Sequence, residues 1–163
     1  MSSDICRELV FSMLQKIYWV EAHAEELALW EALIESGEEA KQTLDTIIQD
    51  SEKHKLLARK WLDKFGIEPP VSSPIGFPEK AFDFSGKDVA EMFKDILKYE
   101  ILMKGMYEKL LNAEYEGCIK SLIPDENGQD GFFSWVKGLV NAEDKHVEMC
   151  RRNIGAFRRI MGK

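Results

Sequence analysis

The sequence lacks the cysteine patterns of small metal modules and of disulfide-rich domains. Its three cysteines, Cys6, Cys118 and Cys150, stand far apart among 163 residues, and no two of them form a C-x-x-C pair. This spacing excludes a rubredoxin-like or zinc-ribbon module and argues against a disulfide scaffold. It favours a reducing, cytoplasmic setting.

The chain also lacks a basic surplus and a long apolar run. Acidic residues (29) outnumber basic ones (22), so the formal net charge is -7, which disfavours nucleic-acid binding. No apolar stretch approaches the length of about 18 residues that spans a bilayer, and the N-terminus has no signal-peptide pattern. We therefore expect neither a nucleic acid nor a membrane as a partner. The length and a hydrophobic content of 45% predict one domain covering 1–163.

Proline is confined to the middle of the chain. All five prolines lie between residues 69 and 124, so the segments 1–68 and 125–163 can each form uninterrupted helix. Gly37 and Gly117 mark predicted helix ends, while Ser85 with Asp88 and, later, Asp130 mark predicted helix starts. The four predicted helices cover about 4–35, 38–65, 86–116 and 130–161.

The lengths of the connections between these helices predict how the helices are arranged in an all-α fold. The first connection is short, and the last is a loop of medium length around SLIPDENGQDG. Between the second and third helices lies a long segment without a clear period, 66–85, which Phe77, Phe82 and Phe84 are expected to hold in place. This order predicts a four-helix bundle of two antiparallel hairpins joined by a long crossover.

Each predicted helix carries an apolar stripe with a spacing of three to four residues, and polar residues interrupt each stripe near its middle. The interrupting residues are Glu21, Ser51, His54, Glu100, Glu143 and His146. An unpaired buried carboxylate costs several kcal/mol, so three of them in one core need a cationic partner. Two divalent metal ions would neutralise them better than hydrogen bonds from two histidines.

The two halves of the chain repeat one pattern. His54 follows Glu21 by 33 residues, and His146 follows Glu100 by 46; the excess of 13 is close to the length of the loop before the last helix. Glu143 and His146 form an E-x-x-H sequence, which puts a carboxylate and an imidazole one turn apart on one helix face. Each hairpin therefore offers a Glu from its first helix and a His from its second.

This pattern resembles the di-iron carboxylate proteins of the ferritin-like superfamily, especially the rubrerythrin branch, over residues 8–62 and 88–155. The metal ligands that the resemblance implies are Glu21, His54, Glu100, Glu143 and His146. It further implies iron, as two ions, with manganese or zinc as alternative metals, and peroxidase or ferroxidase chemistry. A homodimer is the implied assembly. Because the chain has no rubredoxin-like cysteines, a separate donor protein would have to supply electrons.

One position departs from the family pattern. Ser51 stands three residues before His54, where the pattern has a bridging Glu, and Asp50 beside it is a shorter candidate substitute. The site therefore has three carboxylates and two imidazoles in place of four and two, which leaves a single-metal site as an alternative. Tyr107 lies two turns from Glu100 on the same face and is a candidate hydrogen-bond donor to a ligand.

Three functions agree with these residues. The first is a non-haem iron oxidoreductase that reacts with peroxide or dioxygen. The second is a non-catalytic ferritin-like metal-binding or scaffold bundle whose site is degenerate at Ser51. The third is a helical partner-binding module in which the buried Glu and His side chains only hydrogen-bond. Metal content separates the third function from the others, and reaction with peroxide separates the first from the second.

Overall fold

The computed structural model describes residues 3–34 and 37–161, and most of these residues are helical. These residues contain no strand, so the predicted all-α class is confirmed for them. The helices are α1 (Ser3–His23), α2 (Leu27–Leu33), α3 (Glu38–Lys64), α4 (Val89–Leu110), α5 (Ala113–Leu122) and α6 (Glu126–Met161). None of the described helices combines the length and the apolar character that a membrane span needs.

α1 and α3 lie side by side and run in opposite directions. The ring of Phe11 in α1 lies 5.7 Å from the ring of Phe65, just after the end of α3. Further along α1, Glu21 contacts His54, which lies earlier in α3. Gly37, at the start of α3, has a φ of 106°, a backbone conformation that favours glycine and supports the predicted chain reversal.

α4 and α6 form the most extensively packed pair of helices and are also antiparallel. Glu100 of α4 contacts His146 of α6, and one turn later in α4 Lys104 pairs with Asp144, which lies earlier in α6. The two pairs are joined where α3 meets α6. The four long helices therefore meet in the core at the height of four side chains: Glu21, His54, Glu100 and His146.

A buried hydrogen bond fixes how α3 lies against α6. The side-chain amide of Asn153 donates to the hydroxyl of Thr43 at 2.8 Å, and both residues are buried. At the other end of the pair, the rings of Trp61 and Phe132 lie 5.0 Å apart. Because a buried amide needs a partner, the Asn153 bond favours this one register of the two helices.

The predicted apolar stripes form most of the core, with one shift in register. Ala28, predicted on the first stripe, is exposed, and Leu27 is fully buried in its place. A 3-10 turn, Ala24–Glu26, separates α1 from α2 and makes the predicted first helix two helices. Since a 3-10 turn has about three residues per turn, it rotates the following residues relative to a continuous α-helix. The predicted helix end at residue 35 lies outside the described residues.

The predicted third helix, 86–116, is also two helices. α4 begins after Asp88, whose carboxylate accepts a hydrogen bond from the backbone N–H of Glu91 at 2.8 Å. The extended backbone of Asn112 separates α4 from α5. Gly117, predicted as a helix end, lies inside α5.

The last helix begins four residues before the predicted position. The carboxylate of Asp125, and not that of Asp130, caps α6 by accepting a hydrogen bond from the backbone N–H of Gly128 at 2.7 Å. Pro124 directly precedes this cap, in agreement with the tendency of proline to lie next to helix ends.

Cys6 of α1 and Cys118 of α5 form a disulfide, a single pairing that the spacing of the cysteines did not predict. Their Cα atoms lie 5.9 Å apart although 112 residues separate them in sequence. The break before α5 allows this helix to pack against α1, which no local pattern indicates. Cysteine spacing therefore no longer favours a reducing compartment, and the cytoplasmic location stays a prediction.

Aromatic side chains hold the segment between α3 and α4, as predicted. Phe82 and Phe84 are buried, and the ring of Phe77 stacks on that of Trp19 at 5.6 Å. Trp30 of α2 adds a hydrogen bond from its indole N–H to the carbonyl oxygen of Phe82 at 3.1 Å. These contacts fix Phe82 next to the interrupted stripes.

Removal of the disulfide should destabilise the fold. Cys6→Ser is expected to lower the free energy of unfolding by about 4 kcal/mol, since the bond closes a loop of more than 100 residues. Urea unfolding with and without dithiothreitol measures this change. Cys150→Ser is the control, because dithiothreitol should destabilise it as much as the wild type. A wild-type midpoint that does not respond to dithiothreitol contradicts the pairing.

Candidate metal centre

The five residues predicted as metal ligands lie together in the core. The polar side chains of Glu21, Glu100, Glu143 and His146 are buried, and the side chain of His54 is 12% exposed. They come from α1, α3, α4 and α6, each from the middle of its apolar stripe. Packing of the four apolar stripes against one another therefore brings the polar residues that interrupt them to the same height in the helical core.

The ligand atoms form two groups. The His54 group consists of Glu21, His54 and Glu143, and the His146 group consists of Glu100, Glu143 and His146. Within each group one atom from every residue lies within 4.8 Å of the others. Each group could hold a metal ion, and Glu143 belongs to both.

Two buried polar atoms of these groups have no hydrogen-bond partner: Glu143 Oε2 and His54 Nδ1. The distance from His54 Nδ1 to Glu21 Oε1 is 3.3 Å, short enough for an ion pair but without hydrogen-bond geometry. Glu143 Oε2 lies 3.7 Å from His146 Nδ1, beyond hydrogen-bond range. Buried polar atoms without a partner are costly and rare. Both are ordinary donor atoms for a divalent cation, so the residues present fit a bound metal.

Asp50 holds the ring of His146. Its Oδ2 lies 2.8 Å from His146 Nε2, while His146 Nδ1 faces Glu100 Oε2 at 3.2 Å. A neutral imidazole that donates from Nε2 to Asp50 presents the lone pair of Nδ1 to the His146 group, an arrangement common behind metal-ligating histidines. Asp50 belongs to neither ligand group. It therefore lies behind a ligand and does not replace the missing Glu at Ser51.

Tyr107 supports the other half of the site. Its hydroxyl donates to Glu21 Oε1 at 2.6 Å, and its ring is fully buried. Burial, together with the charge of Glu21, raises the pKa of Tyr107 well above its usual range, so the phenol keeps its proton. The predicted hydrogen-bond donor thus exists, and its acceptor is Glu21 in place of the neighbouring Glu100.

The charges in the site shift the protonation of both Glu100 and His146. Burial raises the pKa of Glu100, and the contact with His146 opposes this only in part. Burial would lower the pKa of His146, but Glu100 and Asp50 outweigh it and raise that pKa to about 9. Metal binding at Nδ1 must therefore displace a proton near neutral pH, which makes metal affinity increase with pH.

Other side chains near the stripes are poor ligands. Glu25 and Glu52 are exposed. Burial and the charge of Glu100 raise the pKa of Cys150, so its sulfur stays a thiol. Ser51 is buried with the carboxylates and offers a hydroxyl in place of a charge.

Sequence patterns alone do not reveal the hydrogen bonds behind the ligands. The Asp50–His146 contact joins residues 96 apart, and the Tyr107–Glu21 contact joins residues 86 apart. Both depend on how one helix lies against another. The only local signal for Asp50 is its place one residue outside the stripe of α3.

The metal-free protein should lose stability as the pH rises. Because the pKa of His146 is raised from 6.5 to about 9, the folded state binds this proton more tightly than the unfolded state. The resulting stabilisation, about 3 kcal/mol, is fully present below pH 6.5 and lost as the pH passes 9. Urea unfolding of chelator-treated protein across this window measures it. His146→Gln should lack this part of the pH dependence, and equal profiles for the two proteins contradict the assignment.

Comparison with known proteins identifies no relative from which function could be carried over. No family model, no curated protein and no solved structure matches the chain. The chemistry of the two ligand groups is therefore the basis for a functional interpretation.

Proposed function

We propose that this protein is a non-haem iron protein that binds two metal ions in its core and reacts with peroxide or dioxygen. The observation that carries the proposal is the pair of buried ligand groups that share Glu143. A shared carboxylate with an unpaired oxygen is the natural bridge between two adjacent cations. Carboxylate and imidazole donors suit iron, manganese and zinc.

The fold that we propose with this function is a ferritin-like four-helix bundle. α1 with α3 forms one antiparallel pair, α4 with α6 forms the other, and the long segment between α3 and α4 is the crossover. α2 and α5 are then short helices appended to this frame. The homodimer that the ferritin-like resemblance implies stays a prediction.

The residues of the chain have separable roles in this proposal. Glu21 with His54 would hold one ion, Glu100 with His146 the other, and Glu143 both. Bound iron would supply electron transfer to the oxidant by cycling between its ferrous and ferric states. Protein groups keep the ligands oriented, because Asp50 accepts the Nε2 proton of one imidazole and Tyr107 donates to one carboxylate. The buried Phe82 helps to exclude bulk water.

The state of the three cysteines explains why the proposal includes a separate reductant. Two cysteines are joined in the disulfide and the third is a buried thiol, so the described residues contain no cysteine cluster for electron transfer. Electrons for a catalytic cycle would then come from a donor protein. This donor, like the dimer, is part of the proposal.

A second candidate function is a metal-binding bundle without turnover. The observation in its favour is Ser51, which is buried at the level of the ligand groups and offers no carboxylate. With three carboxylates for two divalent ions, one positive charge stays uncompensated, and a single bound ion is better matched. The third candidate is the helical partner-binding module, in which the buried Glu and His side chains only form hydrogen bonds with one another. It predicts that the protein binds no metal.

Metal content tests the centre directly. Protein purified without added metal should contain iron, manganese or zinc, and its melting temperature should fall after chelation because a ligand that binds the native state stabilises it. Glu143→Gln should lower metal affinity more than Asp50→Asn, for which a loss of about 10- to 100-fold is expected. Glu148→Gln, an exposed position on the same helix, is the matched control. Metal binding unchanged in Glu143→Gln contradicts the centre.

Reaction with peroxide separates the two metal-binding candidates. Iron-loaded ferrous protein should consume hydrogen peroxide in proportion to its metal content and develop a near-ultraviolet absorption band. Glu143→Gln should lose both effects, since it removes the carboxylate shared by the two groups. A loaded protein that binds iron but leaves peroxide untouched favours the bundle without turnover.

A further inference from the structure

An open groove on the protein surface lies between α1 and α4. Residues in 9–16 of α1 and in 102–109 of α4 form most of its lining, and 75–77 of the crossover segment with Tyr115 of α5 complete it. The volume of this α1–α4 groove is about 430 Å³. None of its lining residues belongs to the ligand groups of the candidate metal centre.

The lining is mostly apolar, and the two helices contribute to it in the same pattern. Leu9 and Met13 of α1, like Leu102 and Met106 of α4, are four residues apart and therefore share one face of their helix. Leu9 and Leu102 are 38% and 45% exposed, and Ile75 at the rim is 97% exposed. Grouped, exposed apolar side chains mark interaction sites on soluble proteins. Methionine is common at surfaces that adapt to their partners.

The polar part of the lining carries positive charge. Lys16 of α1 and Lys109 of α4 each follow the methionine of their helix by three residues, and no Asp or Glu lines the groove. Neither lysine forms an ion pair with a described residue, whereas Lys104 of α4 pairs with Asp144. The chain as a whole has a net charge of -7, so the groove is opposite in sign to the protein's average charge. Carboxylates of a partner would complement it.

Exposure and charge together favour another protein as this partner. A small amphiphile inside the groove would leave the apolar side chain of Ile75 in water, while a protein surface can cover it. An anionic membrane would be repelled by the net charge of -7. A second copy of the chain that docked through the same face would bring Lys16 and Lys109 of both copies into one interface, where like charges disfavour association.

We propose that the α1–α4 groove docks an amphipathic helix of another protein, which carries Asp or Glu beside its apolar face. Such a helix places apolar side chains into a groove at a spacing of three and four residues. Here these side chains would contact the leucines and methionines of both helices, and the carboxylates would pair with Lys16 and Lys109. The inference goes beyond the proposed function, because no groove residue is a predicted metal ligand and docking needs no metal.

A synthetic peptide tests this docking chemistry. The acidic probe is a fluorescently labelled peptide of about 18 residues, long enough to form a helix, with leucine on one face and glutamate on the other. Fluorescence anisotropy should show saturable binding that weakens as salt is added, because salt screens the exposed charges. A probe of the same composition in scrambled order, and an amphipathic probe with lysine in place of glutamate, should not displace it.

Substitutions at exposed positions locate the binding site. Lys16→Gln and Lys109→Gln should each weaken binding of the acidic probe by about two- to fivefold. Leu102→Ser should weaken it by about tenfold because an apolar contact is lost. Lys94→Gln is the matched control, since Lys94 is exposed on α4 but does not line the groove. Equal binding in the wild type, Leu102→Ser and the double variant of both groove lysines overturns the proposal.

The other occupants are also outcomes of this test. Absence of saturable binding by the acidic probe overturns the proposal, as does a scrambled probe that binds equally well. Dodecanoate, or vesicles of phosphatidylcholine and phosphatidylserine, that bind in a Lys16-dependent way where the acidic probe does not would assign the groove to an amphiphile or a membrane and overturn it. A dimer that Leu102→Ser dissociates, seen by sedimentation without peptide, would assign this face to a second copy and overturn it too.

Discussion

The burial of three carboxylates in one helical core is the constraint on which the rest of the structure depends. Glu21, Glu100 and Glu143 are each at most 7% exposed, and no Lys or Arg among the described residues is paired with them. Isolated charges of this kind would unfold a domain of this size. The core instead surrounds them with two imidazoles and the hydroxyl of Tyr107. These partners leave one carboxylate oxygen, Glu143 Oε2, without a hydrogen bond.

The sequence predicts the helices better than it predicts where they break. A buried stripe restricts residues three and four apart, so periodicity is visible along α1, α3, α4 and α6. The breaks at 24–26 and 111–112 contain neither proline nor glycine. At the second break, tertiary contacts of α5 with α1, including the Cys6–Cys118 bond, are satisfied only if the chain turns there. Such contacts override weak local preferences, and no local signal announces them.

The same distinction applies to the candidate site. Glu21, His54, Glu100, Glu143 and His146 could be predicted because each had to occupy a position on an apolar stripe. Their hydrogen-bond partners could not, because these depend on the register between helices. That register is set in part by the buried Asn153–Thr43 bond, whose two residues are 110 apart in sequence.

The two halves of the site have complementary gaps. α3 supplies Asp50 but has Ser51 at the next position, whereas α6 supplies Glu143 but has Ala142 at the preceding one. Both carboxylates therefore lie close to His146. Asp50 hydrogen-bonds to its Nε2, and Glu143 belongs to its ligand group. No aspartate stands at the α6 position that corresponds to Asp50, and the Nδ1 of His54 has no hydrogen-bond partner. Asp50 thus adds negative charge on the His146 side of the shared carboxylate, and no corresponding carboxylate stands behind His54. For the proposed metal ions, the His146 group is the stronger of the two positions, because only its imidazole has a carboxylate behind it.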